Sequence, residues 1–236
     1  MTQLADAVVL VTGANGGLGT QFVEQALARG ARRVYATART PRTWNDDRVV
    51  PLALDVTSAE SIAAVAATAA DTTVVINNAG VGGGGQGLLS MSLDALRAIY
   101  ETNVFGPVTV AQAFAPILAK NGGGALVDIH SALSWLSMPG PYSSTKAALW
   151  SVTNSLRLEL AAQGTQVVGA HLGYTDTPMI ARLDVPKEDP RDIVAAIYDG
   201  LEAGEHEVLA DDTSRQVKSA LSAPLSALYP ALSANA

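Results

Sequence analysis

Residues 7–19 read AVVLVTGANGGLG, and this stretch decides the fold. Its apolar, β-branched start predicts a buried strand over 7–11. The glycines that follow permit positive φ and close approach of the backbone to another group, and they stand where a helix over 17–29 should begin. The free N–H groups of that helix favour an anion such as a pyrophosphate. The order Gly13, Gly17, Gly19 departs from G-x-G-x-x-G, so a turn that serves only strand–helix packing stays an alternative.

The composition of the chain excludes several classes of protein. Its 236 residues include 22 acidic and 15 basic side chains, and the net charge of −7 argues against a nucleic-acid partner. The absence of cysteine excludes thiol catalysis and disulfides. The three histidines lack metal-ligand spacing, so we expect no metal. No uninterrupted apolar run approaches the ~18 residues of a membrane span, and we expect a cytoplasmic protein without a membrane partner.

Short β-branched runs alternate with longer alanine-rich stretches, which predicts βαβ units around a parallel sheet. The predicted strands are Ala7–Val11, Arg33–Ala38, Val49–Ala53, Thr73–Asn77, Ala125–His130, Gln166–His171 and Glu207–Leu209. The predicted helices are Gly17–Arg29, Ala59–Ala69, Leu93–Lys120, Tyr142–Ala162 and Asp189–Ala203. Because Leu93–Lys120 contains Pro107 and Pro116, we expect two helices there, or one helix kinked at Gly106-Pro107.

We expect one domain over residues 1–236. Residues 1–120 form mainly the cofactor half, and residues 121–212 form the catalytic and substrate half. Residues 213–236 form a tail rich in alanine, serine, leucine and proline. The tail is either a loosely packed terminus or an oligomer contact.

The second predicted strand indicates which dinucleotide binds. An acid at its end would bind the ribose 2′-OH of NAD, whereas an arginine accommodates a 2′-phosphate. Arg39 ends this strand and Arg42 follows, so the sequence favours NADP(H) over NAD(H). A merely solvated Arg39 stays the alternative. Asp55-Val56 is placed to reach the adenine, and Asp55 serves equally well as a turn residue.

Tyr142 and Lys146 stand four residues apart, on one face of a predicted helix. A phenol with its ordinary pKa near ~10 is a poor acid–base group at neutral pH. An ammonium ~4 Å away favours the phenolate, so we expect Lys146 to lower the pKa of Tyr142. The pair alone is weak evidence, since this spacing is common on solvated helices.

Other polar residues strengthen that interpretation. Ser131 follows an apolar strand, and 77–80 (Asn-Asn-Ala-Gly) closes another, so both lie at the carboxyl edge where open α/β sheets bind ligands. Asn103 lies inside a helical region, where a buried amide needs partners.

In these positions the chain resembles the short-chain dehydrogenase/reductase family, in its compact single-domain branch. The resemblance covers nearly the whole chain. It rests on Thr12-Gly13-x-x-x-Gly17-x-Gly19, Asn77-Asn78-Ala79-Gly80, Asn103, Ser131, Tyr142-x-x-x-Lys146 and Leu172-Gly173-x-x-x-Thr177, in the family's order.

The resemblance implies an α/β Rossmann-type fold with a doubly wound, seven-stranded parallel sheet and helices on both faces. It implies an oxidoreductase in which Tyr142 is the acid–base group and Ser131 holds the substrate oxygen. Lys146 would bind the nicotinamide ribose and Asn103 would position a relay water, while Thr177 would hold the carboxamide. The expected cofactor-binding residues are Gly13, Asn15, Gly16, Gly17, Leu18, Gly19, Arg39, Asp55, Val56, Asn78, Ala79, Gly80, Tyr142, Lys146, Gly173, Thr175 and Thr177.

Two features depart from the family's pattern. Leu172 stands where relatives usually have proline, and the loop from Ser131 to Tyr142 is shorter than is common among them. Ser134 is therefore a competing candidate for Ser131, and the short loop could alter access or weaken activity.

The substrate side is predicted to be apolar, since pockets are mostly apolar with few polar anchors. Its expected residues are Leu133, Trp135, Met138, Tyr174 and Met179, with Ile180 nearby and Gly82–Gly85 as a rim or lid. We expect a carbonyl reductase or alcohol dehydrogenase acting on a neutral, fairly hydrophobic ketone, aldehyde or secondary alcohol. The alternative is a nucleotide-sensing protein without catalysis. The resemblance to the family also implies a homo-oligomer, either a tetramer or a dimer.

Overall fold

The computed structural model describes residues 1–232, and its centre is one parallel sheet of seven strands in the order β3-β2-β1-β4-β5-β6-β7. The strands are β1 Val8–Thr12, β2 Arg33–Ala38, β3 Val49–Ala53, β4 Val74–Asn77, β5 Ala125–Ile129, β6 Gln166–His171 and β7 Glu207–Leu209. The predicted seven-stranded parallel sheet is confirmed, with strand ends within one residue of those predicted. The last four residues of the predicted tail, 233–236, lie outside the described residues.

Helices cover both faces of the sheet. They are α1 Gly17–Ala28, α2 Ala59–Thr68, α3 Leu93–Tyr100, α4 Gly106–Lys120, α5 Tyr142–Leu160, α6 Pro190–Glu202, α7 Asp212–Ser219 and α8 Leu225–Leu228. Along β1 the side chains alternate between two apolar layers: Val9 and Val11 pack with α1 and α6, and Val8 and Leu10 pack with α2, α4 and α5. Burial on both faces explains why the strands are continuous apolar runs.

The strand order reverses at β1, because β2 lies on one side of it and β4 on the other. The connections therefore diverge at this point and leave a crevice beyond the carboxyl ends of the two strands. The glycine-rich loop after β1 opens into that crevice.

Two alternatives were expected for residues 93–120, two helices or one helix kinked at Gly106-Pro107, and the structure has one helix. It is one continuous 28-residue helix in which Glu101–Phe105 forms a π-helical turn between α3 and α4. The N–H of Gly106 bonds to the carbonyl of Glu101, one residue further back than in an α-helix. Pro107 has no N–H to donate, and the wider turn accommodates it at the start of α4.

This helix is also the one described element that is long and apolar enough, by length and composition, to span a membrane. In its most apolar window 44% of the residues are buried inside the fold. Core helices of proteins that have no membrane span pass the same test, so this is weak evidence for one.

The C-terminal segment is more ordered than its composition suggests. Asp211 caps α7, with its carboxylate accepting from the N–H of Ser214 at 2.7 Å. A shorter helix, α8, and a turn at Pro230–Leu232 follow. None of these elements was predicted, because α7 carries few apolar residues and α8 is only four residues long.

Candidate active site

Tyr142 is the first residue of α5, directly after Pro141, and Lys146 follows one turn later. The Lys146 Nζ lies 5.7 Å from the centroid of the Tyr142 ring. It donates a hydrogen bond of 2.7 Å to the carbonyl of Ile129, the last residue of β5. Lys146 therefore ties the start of α5 to the carboxyl end of β5.

The expected direction of the Tyr142 pKa shift is wrong for this arrangement. Burial raises the pKa of Tyr142 to about 12, because the charged phenolate is disfavoured away from water. Burial also lowers the pKa of Lys146 to about 8, opposed by the negative charge of Asp128. The Lys146 ammonium is directed to a backbone carbonyl, and desolvation is what shifts the pKa of the Tyr142 phenol.

Ser131 lies two residues beyond β5, in extended backbone, and is buried. Its Oγ accepts from the N–H of Leu133 at 3.1 Å, which leaves the hydroxyl proton free to be donated elsewhere. The competing Ser134 uses its Oγ to accept from the N–H of Ser131 at 3.4 Å. Ser134 thus supports the turn that carries Ser131.

Asn103 is buried in the π-helical turn, and its amide is fully engaged. Its Oδ1 accepts from the N–H of Val81 at 2.8 Å, and its Nδ2 donates to the carbonyl of Val81 at 2.9 Å and to Thr145 Oγ1 at 3.1 Å. A Cβ placed on Gly80 would lie 3.4 Å from Asn103 Oδ1 and 4.0 Å from Lys146 Nζ. The absence of a side chain at Gly80 therefore leaves room beside two of the predicted catalytic residues.

The glycine-rich loop is packed too tightly for side chains at most of its positions. A Cβ on Gly19 would collide with the carbonyl oxygen of Gly13, and one on Gly17 would lie 2.7 Å from Thr177 Cγ2. Gly16, which caps α1, has open space where its side chain would be. The first turn of α1 therefore presents free N–H groups beneath an open position, which fits a phosphate.

The residues after β4 are joined to β1 by side-chain hydrogen bonds. Thr12 Oγ1 accepts from the N–H groups of Asn78 and Ala79, both at 3.0 Å. Asn78 Nδ2 donates to the carbonyls of Thr12 and Gly13 at 2.8 and 3.1 Å. The predicted cofactor residues 78–80 thus form one rigid unit with the start of the glycine loop.

The same loop is connected to the predicted 2′-phosphate region. Asn15 Nδ2 donates to the carbonyl of Thr40 at 2.7 Å, and Asn15 Oδ1 accepts from the N–H of Arg42 at 3.3 Å. The guanidinium of Arg42 stacks 3.9 Å above the Trp44 ring, while Arg39 is exposed. Two arginines therefore stand at the end of β2 beside the glycine loop.

Asp55 has a local structural role. Its Oδ1 accepts from the N–H and the hydroxyl of Thr57 at 2.9 and 2.8 Å, and these bonds, more than the charge of Arg39, lower its pKa. Val56 packs against Gly106, where a Cβ would lie 3.0 Å from the Val56 carbonyl oxygen. These contacts support the interpretation of Asp55 as a turn residue.

Comparison with known proteins identifies the family. The family model for short chain dehydrogenases matches residues 7–187. This chain belongs to the short-chain dehydrogenase family. It is 36% identical over 208 residues to a short-chain dehydrogenase of Talaromyces islandicus, an alignment that covers 81% of this chain and 72% of the relative. It is 29% identical over 232 residues to an uncharacterized oxidoreductase of Staphylococcus aureus, covering 92% of this chain and all of the relative.

Solved structures give the same family and fold. A short chain dehydrogenase from Burkholderia cenocepacia in complex with NADP superposes with a TM-score of 0.90 at 36% identity, over 98% of both chains. A 3-ketoacyl-(acyl-carrier-protein) reductase from Brucella melitensis complexed with NADH has a TM-score of 0.81, over 87% of this chain and 96% of the other. Its identity of 22% shows the fold alone. Short-chain dehydrogenases bind nicotinamide cofactors.

The loop after β6 of this short-chain dehydrogenase lies against both the glycine loop and the C-terminal segment. Thr177 contacts Gly17, and the N–H of Gly173 donates to the Asp211 carboxylate. The Thr175 hydroxyl is buried without a hydrogen-bond partner among residues 1–232. A buried hydroxyl without a partner is unfavourable unless a further molecule binds it, which fits a cofactor group at this position.

The predicted substrate residues divide into two sets. Tyr174 Oη lies 3.5 Å from Met138 Sδ, and both side chains are partly exposed, as is Met179. A Cβ on Gly82 would lie 3.7 Å from Met179 Cγ, and one on Gly83 would lie 3.0 Å from Pro141 Cδ. The glycine segment 82–85 therefore borders Met179 and the start of α5, as expected for a rim.

Trp135 and Leu133 are both half-buried. The Trp135 ring stacks on His171 with centroids 3.8 Å apart, and Lys218 Nζ lies 4.8 Å above it. These contacts place Trp135 between β6 and α7. Its role as a substrate residue stays a prediction.

Sequence reasoning missed Asp128, a fully buried acid in β5. Its Oδ1 accepts from Asn77 Nδ2 at 2.9 Å and its Oδ2 from Thr153 Oγ1 at 2.6 Å, and burial raises its pKa. It is also the negative charge that acts on Lys146. The available signal was a carboxylate within an otherwise apolar strand.

Among residues 1–232 no group of three or more His, Asp or Glu side chains is arranged to hold a metal.

Proposed function

We propose that this short-chain dehydrogenase is an NADP(H)-dependent carbonyl reductase or alcohol dehydrogenase. Its substrate would be a neutral, fairly hydrophobic ketone, aldehyde or secondary alcohol. The observation that carries the proposal is the position of Lys146: its Nζ lies beside the Tyr142 ring, bonds to the end of β5 just before Ser131, and borders Gly80. This position supports a site in which Tyr142, Ser131 and Lys146 would act together in proton transfer.

The cofactor would lie along the carboxyl edge of β1 and β4. The N-terminus of α1, opened by Gly16, suits the pyrophosphate, and Arg39 with Arg42 suits a 2′-phosphate. The family's dependence on nicotinamide cofactors and the NADP bound to the Burkholderia cenocepacia relative support this choice. Thr177 would bind the carboxamide, and the unpartnered Thr175 hydroxyl would bind another group of the cofactor. When bound, the nicotinamide supplies or accepts the hydride.

In the reductive direction, negative charge develops on the carbonyl oxygen of the substrate. Ser131 and Tyr142 would donate hydrogen bonds to that oxygen, and fixed donors in a dry crevice stabilise developing charge more than the ground state. Tyr142 would then transfer its proton to the oxygen. A pKa of about 12 keeps Tyr142 protonated at neutral pH, as a proton donor requires.

Lys146 would bind the nicotinamide ribose and supply positive charge near the phenol. The buried Asp128 opposes deprotonation of Lys146, since its negative charge raises the pKa that burial lowers. Asn103 would hold a water through its backbone carbonyl, because its side-chain amide is fully engaged and residue 107, whose N–H would bond to that carbonyl in an α-helix, is a proline.

A steady-state assay tests the proposal. Purified protein is mixed with NADPH and a panel of aryl ketones and aldehydes, and the absorbance of the reduced nicotinamide is followed. We expect NADPH consumption with at least one carbonyl and slower turnover with NADH. Cofactor binding without turnover across a broad panel would count against catalysis.

One observation favours the second candidate, a nucleotide-binding protein without catalysis. The loop from Ser131 to Tyr142 is short, and a displacement of Tyr142 by even ~1 Å would weaken catalysis while leaving nucleotide binding in place. Such a protein would bind NADPH and show no carbonyl reduction in the same assay.

We also propose a cytoplasmic homo-oligomer, a dimer or tetramer. Exposed apolar side chains on the two long helices, Leu93, Phe105 and Leu158, support an interface there. Light scattering coupled to size-exclusion chromatography checks the mass of the assembly, and a monomer would contradict this part of the proposal.

A further inference from the structure

The C-terminal segment contacts both loops that border the substrate side. Its Asp211 accepts from the N–H of Gly173 in the loop after β6, and a Cβ on Gly173 would lie 2.8 Å from Thr213 Cβ. Further along, α7 packs against the turn Ala132–Ser134. The end of the segment, Tyr229, has an Oη that accepts from the N–H of Ser137 at 3.1 Å.

The Tyr229 contact fixes a loop that has few other restraints. Ser137 and Pro139 are exposed, so the backbone N–H of Ser137 would otherwise be solvated. The next N–H, that of Met138, donates to Ser143 Oγ on α5 at 3.1 Å. Two consecutive amides of the short loop between Ser131 and Tyr142 are thus held by side chains, one from the tail and one from α5.

Met138, whose N–H makes the second of these bonds, is one of the predicted substrate residues. Met138 is 49% exposed and its sulfur is met by the Tyr174 hydroxyl, while Met179 is 51% exposed. The position of Met138 therefore decides how far the short loop extends toward Tyr174. Tyr229, through the preceding amide of Ser137, holds that position together with Ser143.

We infer that Tyr229 is a specificity-determining residue: through Ser137 it positions Met138 and so limits the bulk of the carbonyl compound admitted beside Tyr142. The inference rests on the proposed function. Tyr229 does not touch the glycine loop in any described contact, so cofactor affinity should not depend on it. The effect of losing one neutral hydrogen bond on ligand selection is about 2- to 10-fold.

The test compares Tyr229→Phe, which removes only the hydroxyl, with Leu232→Ala, an exposed substitution in the same tail. Hydrogen exchange at the Ser137 amide reports the contact directly, and we expect faster exchange in Tyr229→Phe alone. In parallel, the Kd values of acetophenone and of the bulkier 2-acetylnaphthalene are measured for the protein loaded with NADP⁺, where no reduction can occur. We expect the ratio of the two Kd values to shift about 2- to 10-fold toward the bulkier ketone in Tyr229→Phe, with an unchanged Kd for NADP⁺.

Unchanged exchange at Ser137, an unchanged Kd ratio, or binding of neither ketone would overturn the inference. A shifted ratio in a protein that consumes no NADPH with any carbonyl would support the role of Tyr229 and contradict the proposed catalysis. The two proposals therefore fail in distinguishable ways.

Discussion

The glycine loop after β1 and the loop from Ser131 to Tyr142 border the same edge of the sheet, but they are held in different ways. The first is packed so closely at its glycines that Gly19 meets the carbonyl of Gly13 and Gly17 meets the Thr177 side chain. Local hydrogen bonds of Asn15 and Asn78 add to this packing. The second is fixed by side chains that arrive from α5 and from the distant tail, through Ser143 and Tyr229. Close packing around glycines leaves little room for added side-chain atoms. The position of a loop that is held by hydrogen bonds can instead be changed by removing one contact.

The largest effect is expected from removing the proton donor at the end of the loop from Ser131 to Tyr142. Tyr142→Phe should lower kcat for carbonyl reduction by about 10²- to 10⁴-fold, the range of general acid catalysis. The affinity for NADPH, measured by fluorescence titration, should change little. Tyr100→Phe, at the end of α3, is the matched control and should retain activity. Full activity in Tyr142→Phe would remove the assignment.

The next effect tests the rigidity of the glycine loop. Gly19→Ala places a methyl group against the Gly13 carbonyl, so the loop must shift, and we expect a loss of about 3 kcal/mol in the free energy of unfolding. Gly16→Ala adds the same methyl group to open space and should cost under about 1 kcal/mol. Chemical denaturation without cofactor measures both. Equal losses would contradict the difference between the two positions.

Two buried histidines in the catalytic and substrate half, residues 121–212, should also make the stability of the protein fall in acid. Burial lowers the pKa of His171 to about 4, and that of His130 well below its usual range, while both histidines titrate near ~6.5 when unfolded. The unfolded chain then binds more protons between these values, so stability should fall as pH drops from about 6.5 to about 4, by about 3 kcal/mol for His171. The Ser131 carbonyl, Glu207, Lys218 and Arg157 also act on His171.

Urea denaturation at a series of pH values checks this dependence. His171→Gln should flatten the curve between pH ~6.5 and ~4, since it removes the titrating ring. His206→Gln, at an exposed position, is the control and should leave the slope closer to that of the parent. A parent protein whose stability is constant across this range would contradict the neutral, buried histidines.

The smallest expected effect concerns cofactor choice at the end of β2. Arg39→Asp should weaken NADPH binding about 10-fold more than NADH binding, because a charged hydrogen bond to the 2′-phosphate is lost and a repulsion is added. Arg32→Asp, exposed at the opposite end of β2, should leave the ratio of the two Kd values unchanged. An unchanged ratio in Arg39→Asp would assign the 2′-phosphate elsewhere.

Local sequence was sufficient wherever the physical cause is local. The strands were predictable because both faces of the sheet are buried, so each strand is a short apolar run with polar residues at its ends. Ser131 and the segment 77–80 were placed correctly at one edge because parallel strands end together. The π-helical turn was not predictable in type, although Pro107 indicated that the α-helical pattern had to change there.

Burial and distant contacts were not predictable in the same way. The expected lowering of the Tyr142 pKa counted the charge of Lys146 but not the desolvation of both groups. Trp135 was assigned to the cleft from its nearness to Ser131 in sequence, which did not indicate its contacts with His171 and Lys218 from distant parts of the chain. Asp128 was overlooked because its partners Asn77 and Thr153 are far away along the chain.

By itself, the sequence determined the parallel sheet, the glycine loop and the order of the polar residues along its carboxyl edge. These follow from periodicity, chain reversal and glycine stereochemistry, which act over a few residues. Only the tertiary structure decided the electrostatic state of Tyr142 and Lys146, and the attachment of Tyr229 to Ser137 across 92 residues of chain. Desolvation and long-range hydrogen bonds depend on what surrounds a group in space, and that is set only when the whole chain has folded.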